Sequence, residues 1–169
     1  CIFLKHVDFS NCVFEKEFYP SSFQDSVSFN NATFKERVTF WGKEFGSKDK
    51  GGVADFSNSH FEKGVDFEES VFNSVFKLND SIIGGDAFFN GVEFKEKVNS
   101  WNLECSNNIS FEWANFRQKA NFSDLRVENG FVNLHGTNFE KNAYFYNAII
   151  YQLDLANSVI EKGVYFLGA

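Results

Sequence analysis

Three histidines and three cysteines are the side chains best suited to proton transfer, nucleophilic attack or metal binding in this 169-residue chain. His6, His60, His135, Cys1, Cys12 and Cys105 are too scattered for the close ligand spacing of a metal knuckle. An odd number of cysteines also makes no disulfide framework. The string IIGGDAFF, residues 82 to 89, carries two adjacent glycines but lacks the spacing of a phosphate-binding loop and any following helix. No Cys/His pair and no Ser/His/Asp set can be proposed to meet, so no catalytic residue, metal ligand or cofactor-binding residue is assigned.

What has to position these residues is a repeat. Starting from Phe23, apolar centres fall at Phe29, Phe34, Phe40 and Phe45, in alternating steps of six and five. Sliding by about 22 residues aligns Phe23, Phe45, Phe67, Phe89 and Phe111 in one column, as expected for a stacked repeat. A second column holds Phe29, Gly51, Phe72, Phe94, Phe116, Phe139 and Ile160. The third runs Phe34, Phe56, Leu78, Ser100, Phe122, Phe145 and Phe166, and the fourth Phe40, Phe61, Ile83, Cys105, Val127 and Ile150. With Phe3, Phe9, Phe14 and Phe18 as a shortened first round, only Phe76, Phe88 and Phe131 of the 24 phenylalanines miss a centre.

The residue two before each centre is small or β-branched, for example Val27, Ala32, Val38, Ala54, Val65 and Ala87. Two inward residues around one outward residue is strand alternation, and the step to the next pair is a corner. A coiled coil fails, because a six-residue step turns an α-helix by ~240° and leaves no single apolar stripe. The outward positions are rich in Asn, Ser, Asp and Gly, which favour turns over helix interiors. The pattern therefore predicts an all-β solenoid of seven to eight coils, stacked at ~4.8 Å into a rod roughly 35 Å long. On such a coil the histidines take outward or corner positions in different rounds, and Cys12 and Cys105 take inward slots as small core residues.

The strings NATF, VADF, WANF and GTNF resemble the pentapeptide-repeat proteins, and the resemblance spans nearly the whole chain. It implies a right-handed quadrilateral parallel β-helix. Alternating fives and sixes and the preference for Phe over Leu look like the subgroup with an extra residue on alternate faces, which implies less regular turns at those corners. A repeat that spends its residues on a Phe core and leaves dispersed polar faces has no evident small-molecule cavity, so the leading expectation is a non-enzymatic interaction scaffold whose faces bind another protein. Some members mimic DNA, bind type II topoisomerases and give resistance to gyrase poisons, which supplies an alternative function. The carboxyl-terminal dimerisation helix of such members is not seen in this sequence.

Three stretches break the pattern. GSKDKGG, residues 46 to 52, is expected to keep the register, because Phe45 and Phe56 stand eleven apart, with Gly51 in a ring's place and Asp49 in a small inward slot. It reads as a loose face bulging outward. VNLHGTN, residues 132 to 138, adds one residue and makes Leu134 the centre in place of Asn133. FYPSSF, residues 18 to 23, places the only proline at a turn of the first round.

A formal charge of −7, from 23 acidic and 16 basic residues, argues against direct nucleic-acid binding. No apolar run approaches the ~20 residues of a membrane span, so no membrane insertion is expected. The cysteine usage fits a reducing, cytoplasmic setting. The chain is expected to form one domain over residues 1 to 169 and, beginning at Cys1 without any Met, to belong to a longer chain.

The expected partner is a protein, met on the outer faces. Lys97, Lys119, Lys141 and Lys162, with Glu96, Glu140 and Glu161 among them, should line one face as a solvated mixed-charge ladder. Outward aromatics Trp41, Trp101, Trp113, Tyr144, Tyr146, Tyr151 and Tyr165 are candidate interface residues, with Tyr19 also outward. A pattern still running at VYFLGA points to end-to-end association of copies or a neighbouring domain. Glu68, Glu69, Asp86 and Glu112 discriminate the two functions, since DNA mimicry needs them in one uninterrupted acidic surface.

Overall fold

The structure, a computed structural model, describes residues 2–49 and 51–168. Its strands are mostly two residues long, all pair in parallel between coils, and trace four faces. Face 1 opens with Ile2–Phe3, Ser22–Phe23, Glu44–Phe45 and Val71–Phe72, and its ladder is eight strands deep. Face 2 runs from Val7–Asp8 to Val164–Tyr165, also eight strands deep. Face 3 contains Thr33–Phe34, His60–Phe61, Ile82–Ile83 and Glu104–Cys105, and face 4 contains Val38–Thr39, Val65–Asp66, Ala87–Phe88 and Ile109–Ser110. Faces 3 and 4 join into one 11-stranded sheet because the long strand Arg126–Asn133 rounds the corner between them. The result is a parallel β-solenoid of the expected kind.

The interior is filled by rings stacked coil upon coil. On face 1 the centroid spacings are 5.2 Å for Phe3 on Phe23, 5.6 Å for Phe23 on Phe45 and 4.4 Å for Phe45 on Phe72. On face 4 Phe67 lies 4.8 Å from Phe40 and 5.2 Å from Phe89. These distances follow from the strand spacing, since a ring on one coil has its counterpart one ladder step away.

The structure departs from the 22-residue columns at one coil. Phe45 stacks on Phe72, not Phe67, and Phe29, Phe34 and Phe40 stack on Phe56, Phe61 and Phe67. Hydrogen bonds across this coil therefore join residues 27 apart, whereas those in later coils join residues 22 apart. The columns are correct on either side of residues 46 to 52 but are joined one face out of step. Gly51 fills no ring position and Asp49 is exposed.

The segment, apart from Lys50, which lies outside the described residues, instead leaves the wall. Gly46 holds the ladder through its N–H to the Phe23 carbonyl, at 2.7 Å, and Ser47 and Gly51 bridge antiparallel across the loop base. The Val75 N–H then bonds the Gly52 carbonyl where the chain re-enters face 2. The excursion adds five residues, the difference between the registers of 27 and 22, which is one short step between centres and is why it is invisible in the periodicity.

The alternation of five and six has a backbone cause. The five-residue steps follow faces 2 and 4, where the residue two past the centre adopts positive φ: Asn11, Asn31, Gly42, Asn58, Glu69 and Asp80 are examples. Most of these tight corners close with the N–H three past the centre donating to the centre's carbonyl, as in Ala32 to Phe29 and Lys43 to Phe40. Asn, Asp and Gly suit this left-handed conformation. Among the described residues the six-residue corners after faces 1 and 3 show no such hydrogen bond, so their geometry differs from that of the tight corners.

Buried hydroxyls tie coils together at the tight corners. Ser59, Ser70 and Thr137 occupy the small inward slot and donate to the carbonyls of Phe29, Phe40 and Phe111 in the coil below, at 2.6 to 2.9 Å. Ser81 does the same to Phe56 at 2.8 Å. A hydroxyl is as small as the slot requires, and its bond satisfies a polar atom that would otherwise be buried unpaired.

Phe76, absent from every column, is core. It fills the small slot of face 2, pairs in the ladder with Val98, and lies 4.6 Å from Phe72 and 5.4 Å from Phe94. Leu134 is a fully buried centre, as expected. The extra residue, however, belongs to the corner ahead of it, where the ladder shifts register between Val127 and Phe131.

Candidate interaction surface

The outward residues of a two-residue strand stand beside their counterparts one coil away, so every face is a set of ladders. Tyr144 and Tyr165 stack at 5.4 Å on face 2, and Tyr146 at the next corner lies 5.4 Å from Tyr144. The Asn142 amide donates to the Tyr144 hydroxyl at 3.1 Å. Tyr151, 79% exposed, stands apart at the corner between faces 3 and 4. Four tyrosines close in sequence thus form one group of three and one outlier.

The tryptophans lie on two corners. Trp41 and Trp113 follow face 4, three coils apart, and both are exposed, whereas Trp101 follows face 2. Trp113 takes the positive-φ position of its corner, with φ 58°, where the other non-glycine residues are Asn, Asp and Glu69.

The lysine line is broken into two offset pairs. The Val98 N–H bonds the Lys119 carbonyl, and Lys97 stands one coil away from Lys119 in register. Ala120 instead bonds the Asn142 carbonyl, and Ala143 bonds that of Gly163, so Lys141 and Lys162 stand one position earlier.

The four discriminating acids do not form one surface. Glu68 and Glu112 occupy equivalent corner positions two coils apart, with Asn90 between them: its side-chain Nδ2 donates to Glu68 at 2.5 Å and its side-chain Oδ1 accepts the Glu112 N–H at 3.1 Å. Glu69 adjoins Glu68 on that corner. Asp86 lies at the opposite margin of face 4, holding the N–H and the amide of Asn108. Between the margins stands Phe88, with the Arg37 guanidinium 5.0 Å above its ring.

The histidines are as separated as their spacing implies. His6 bonds the Ser26 carbonyl, His60 points outward on face 3, and His135 lies on the corner after face 4. Cys12 is half-buried and Cys105 is buried, both as free thiols, while Cys1 lies outside the described residues. Among the described residues no three His, Cys, Asp or Glu side chains gather as a metal site. An open groove of about 450 Å³ on face 3 is lined by Ile82, Asn102, Glu104, Cys105, Ser106, Arg126 and Glu128, and the Cys105 thiol there donates to the Gly85 carbonyl at 3.2 Å rather than to a base.

Burial pushes the Cys105 thiol from its ordinary 9.0 up to about 12, which keeps it neutral and unreactive. The folded-state value lies above the unfolded one, so this contribution to stability is complete below pH 9 and lost as pH rises from 9 toward 12. The stability difference between wild type and Cys105→Ala is expected to narrow across that window, measured by urea unfolding at each pH.

No helix among the described residues is long and apolar enough to cross a membrane. The geometry defines a class: a parallel β-solenoid with a phenylalanine interior and laddered outer faces. No protein-family model matches the chain, and no curated protein matches it. Among solved structures it is similar to trypsin-treated QnrB1, a plasmid-mediated fluoroquinolone resistance protein. That similarity is 13% in identity over 97% of this chain and 91% of the other, with a TM-score of 0.27, so the two do not superpose closely.

Proposed function

We propose that this chain is a non-enzymatic protein-interaction scaffold of the pentapeptide-repeat type, in a phenylalanine-centred form with alternating five- and six-residue steps. One observation carries the reading: the coils are packed solid with fully buried rings, while Trp41, Trp113, Tyr151 and other large side chains stand exposed outside. A filled interior offers a small molecule no chamber, and rigid faces present contacts at little ordering cost. The divided acidic residues on face 4 favour a scaffold over a continuous phosphate-like surface.

The test uses the chain as immobilised bait in lysate of its source organism, beside a variant with Trp41, Trp101 and Trp113 replaced. Saturable capture of one protein, weakened by the replacements, supports the scaffold. Salt-sensitive capture of a type II topoisomerase would instead support DNA mimicry. Capture of nothing specific would overturn both readings.

A further inference from the structure

Trp113 differs from the other exposed aromatics in how it is held. Its indole lies against Gly136 of the next coil, where an added Cβ would stand 2.4 Å from Cε3. His135 meets it edge-on, with centroids 5.5 Å apart and planes at 79°. Although fixed on that side, the side chain remains 61% exposed. An aromatic surface already immobilised loses little entropy when a partner covers it.

The surroundings select the partner's charge. Glu112 adjoins Trp113, and one coil below, the Glu69 carboxylate leans over Gly91, its Oε1 2.6 Å from where a Cβ would be. On the other side, Asp154 lies 3.7 Å from His135 Nδ1. From Asp66 to Asn157, no Lys or Arg occupies the outward strand position of face 4 or the two corner positions that follow it. An exposed indole whose corner carries Glu112, its carboxylate 3.5 Å from the Asn133 amide, and Glu69 over Gly91 matches a planar cation, which gains both the ring's quadrupole and the corner's negative charge.

We infer that the Trp113 corner receives an arginine side chain of a protein partner, stacked on the indole and paired with the carboxylates of Glu69 and Glu112. This rests on the scaffold reading and adds to it a location and a partner chemistry. A partner arginine meeting only the acids would gain far less, because exposed ion pairs are weak.

The test titrates the chain with acetylated tetra-arginine amide, with tetra-glutamate as the control peptide, by isothermal calorimetry. Saturable binding of tetra-arginine is expected, weakened at least tenfold in Trp113→Asn and severalfold in Glu69→Gln or Glu112→Gln. Asn suits positive φ, so Trp113→Asn should melt no lower than wild type. Equal tetra-arginine binding by Trp113→Asn and wild type, or equal binding of tetra-glutamate, would each overturn the inference. A protein captured equally well by Trp113→Asn would remove this inference and leave the scaffold standing; no captured protein at all would remove the scaffold.

Discussion

Replacing Phe67 with Ala lowers the unfolding free energy by about 3 to 5 kcal/mol, the expectation for removing a fully buried ring without refilling its space. Phe67 has no exposed surface. Besides its stacking partners Phe40 and Phe89, its ring centroid lies 5.2 Å from Phe56, 5.6 Å from Phe76 and 5.8 Å from Phe72. The cavity would therefore open among rings of three successive coils, whose strands are fixed by ladder bonds and cannot close over it. Such a loss rivals the whole stability of many domains. Guanidinium unfolding followed by far-ultraviolet circular dichroism measures it, and a change below about 1 kcal/mol would contradict the packing.

The second large effect is expected at Gly64, where the backbone leaves no room for any side chain. Its φ is +103°, and an added Cβ would lie 2.4 Å from the Asp86 carbonyl oxygen. That oxygen accepts the Val65 N–H at 3.0 Å, so relieving the clash would break the ladder between two coils. Gly64→Ala should cost at least ~2 kcal/mol from backbone strain and the lost bond together. Gly42 supplies the control: its φ is +62° and nothing lies within 4 Å of an added Cβ. Gly42→Ala should cost only ~1 kcal/mol, the left-handed penalty alone. Equal melting temperatures for the two variants would contradict the close approach at Gly64.

The centres and small slots were legible in the sequence because an interior this narrow admits a ring at one position and little beside it at the other. Phe67, Phe89 and Phe111 could be placed in one column from spacing alone, and their stacking agrees. Phe76 could not, because it fills the slot two before a centre, where the pattern places a small or β-branched residue. The join across residues 46 to 52 was hidden for a different reason: periodicity reports distance along the chain, and an excursion one short step long keeps the centres in phase. The buried serines carried only the signal of being small.

The outer surface was less legible. The exposed tryptophans and tyrosines could be recognised as outward, but which of them meet depends on corner register. Lys141 and Lys162 fell one position short of the line through Lys97 and Lys119 for the same reason. The support of Trp113 by Gly136 links residues in successive coils and has no signature within either turn.

The most direct test of the architecture is disulfide mapping across the coil that contains the excursion. Glu44 and Val71 are ladder partners on face 1, close enough for a disulfide if both are replaced by cysteine. In the uninterrupted 22-residue register, Glu44 would instead adjoin Asp66, which the structure places on face 4. Mild oxidation followed by peptide mapping should link Glu44→Cys to Val71→Cys in one chain and leave a Glu44→Cys, Asp66→Cys chain reduced. A cross-link in the second chain and none in the first would contradict the relinked coil.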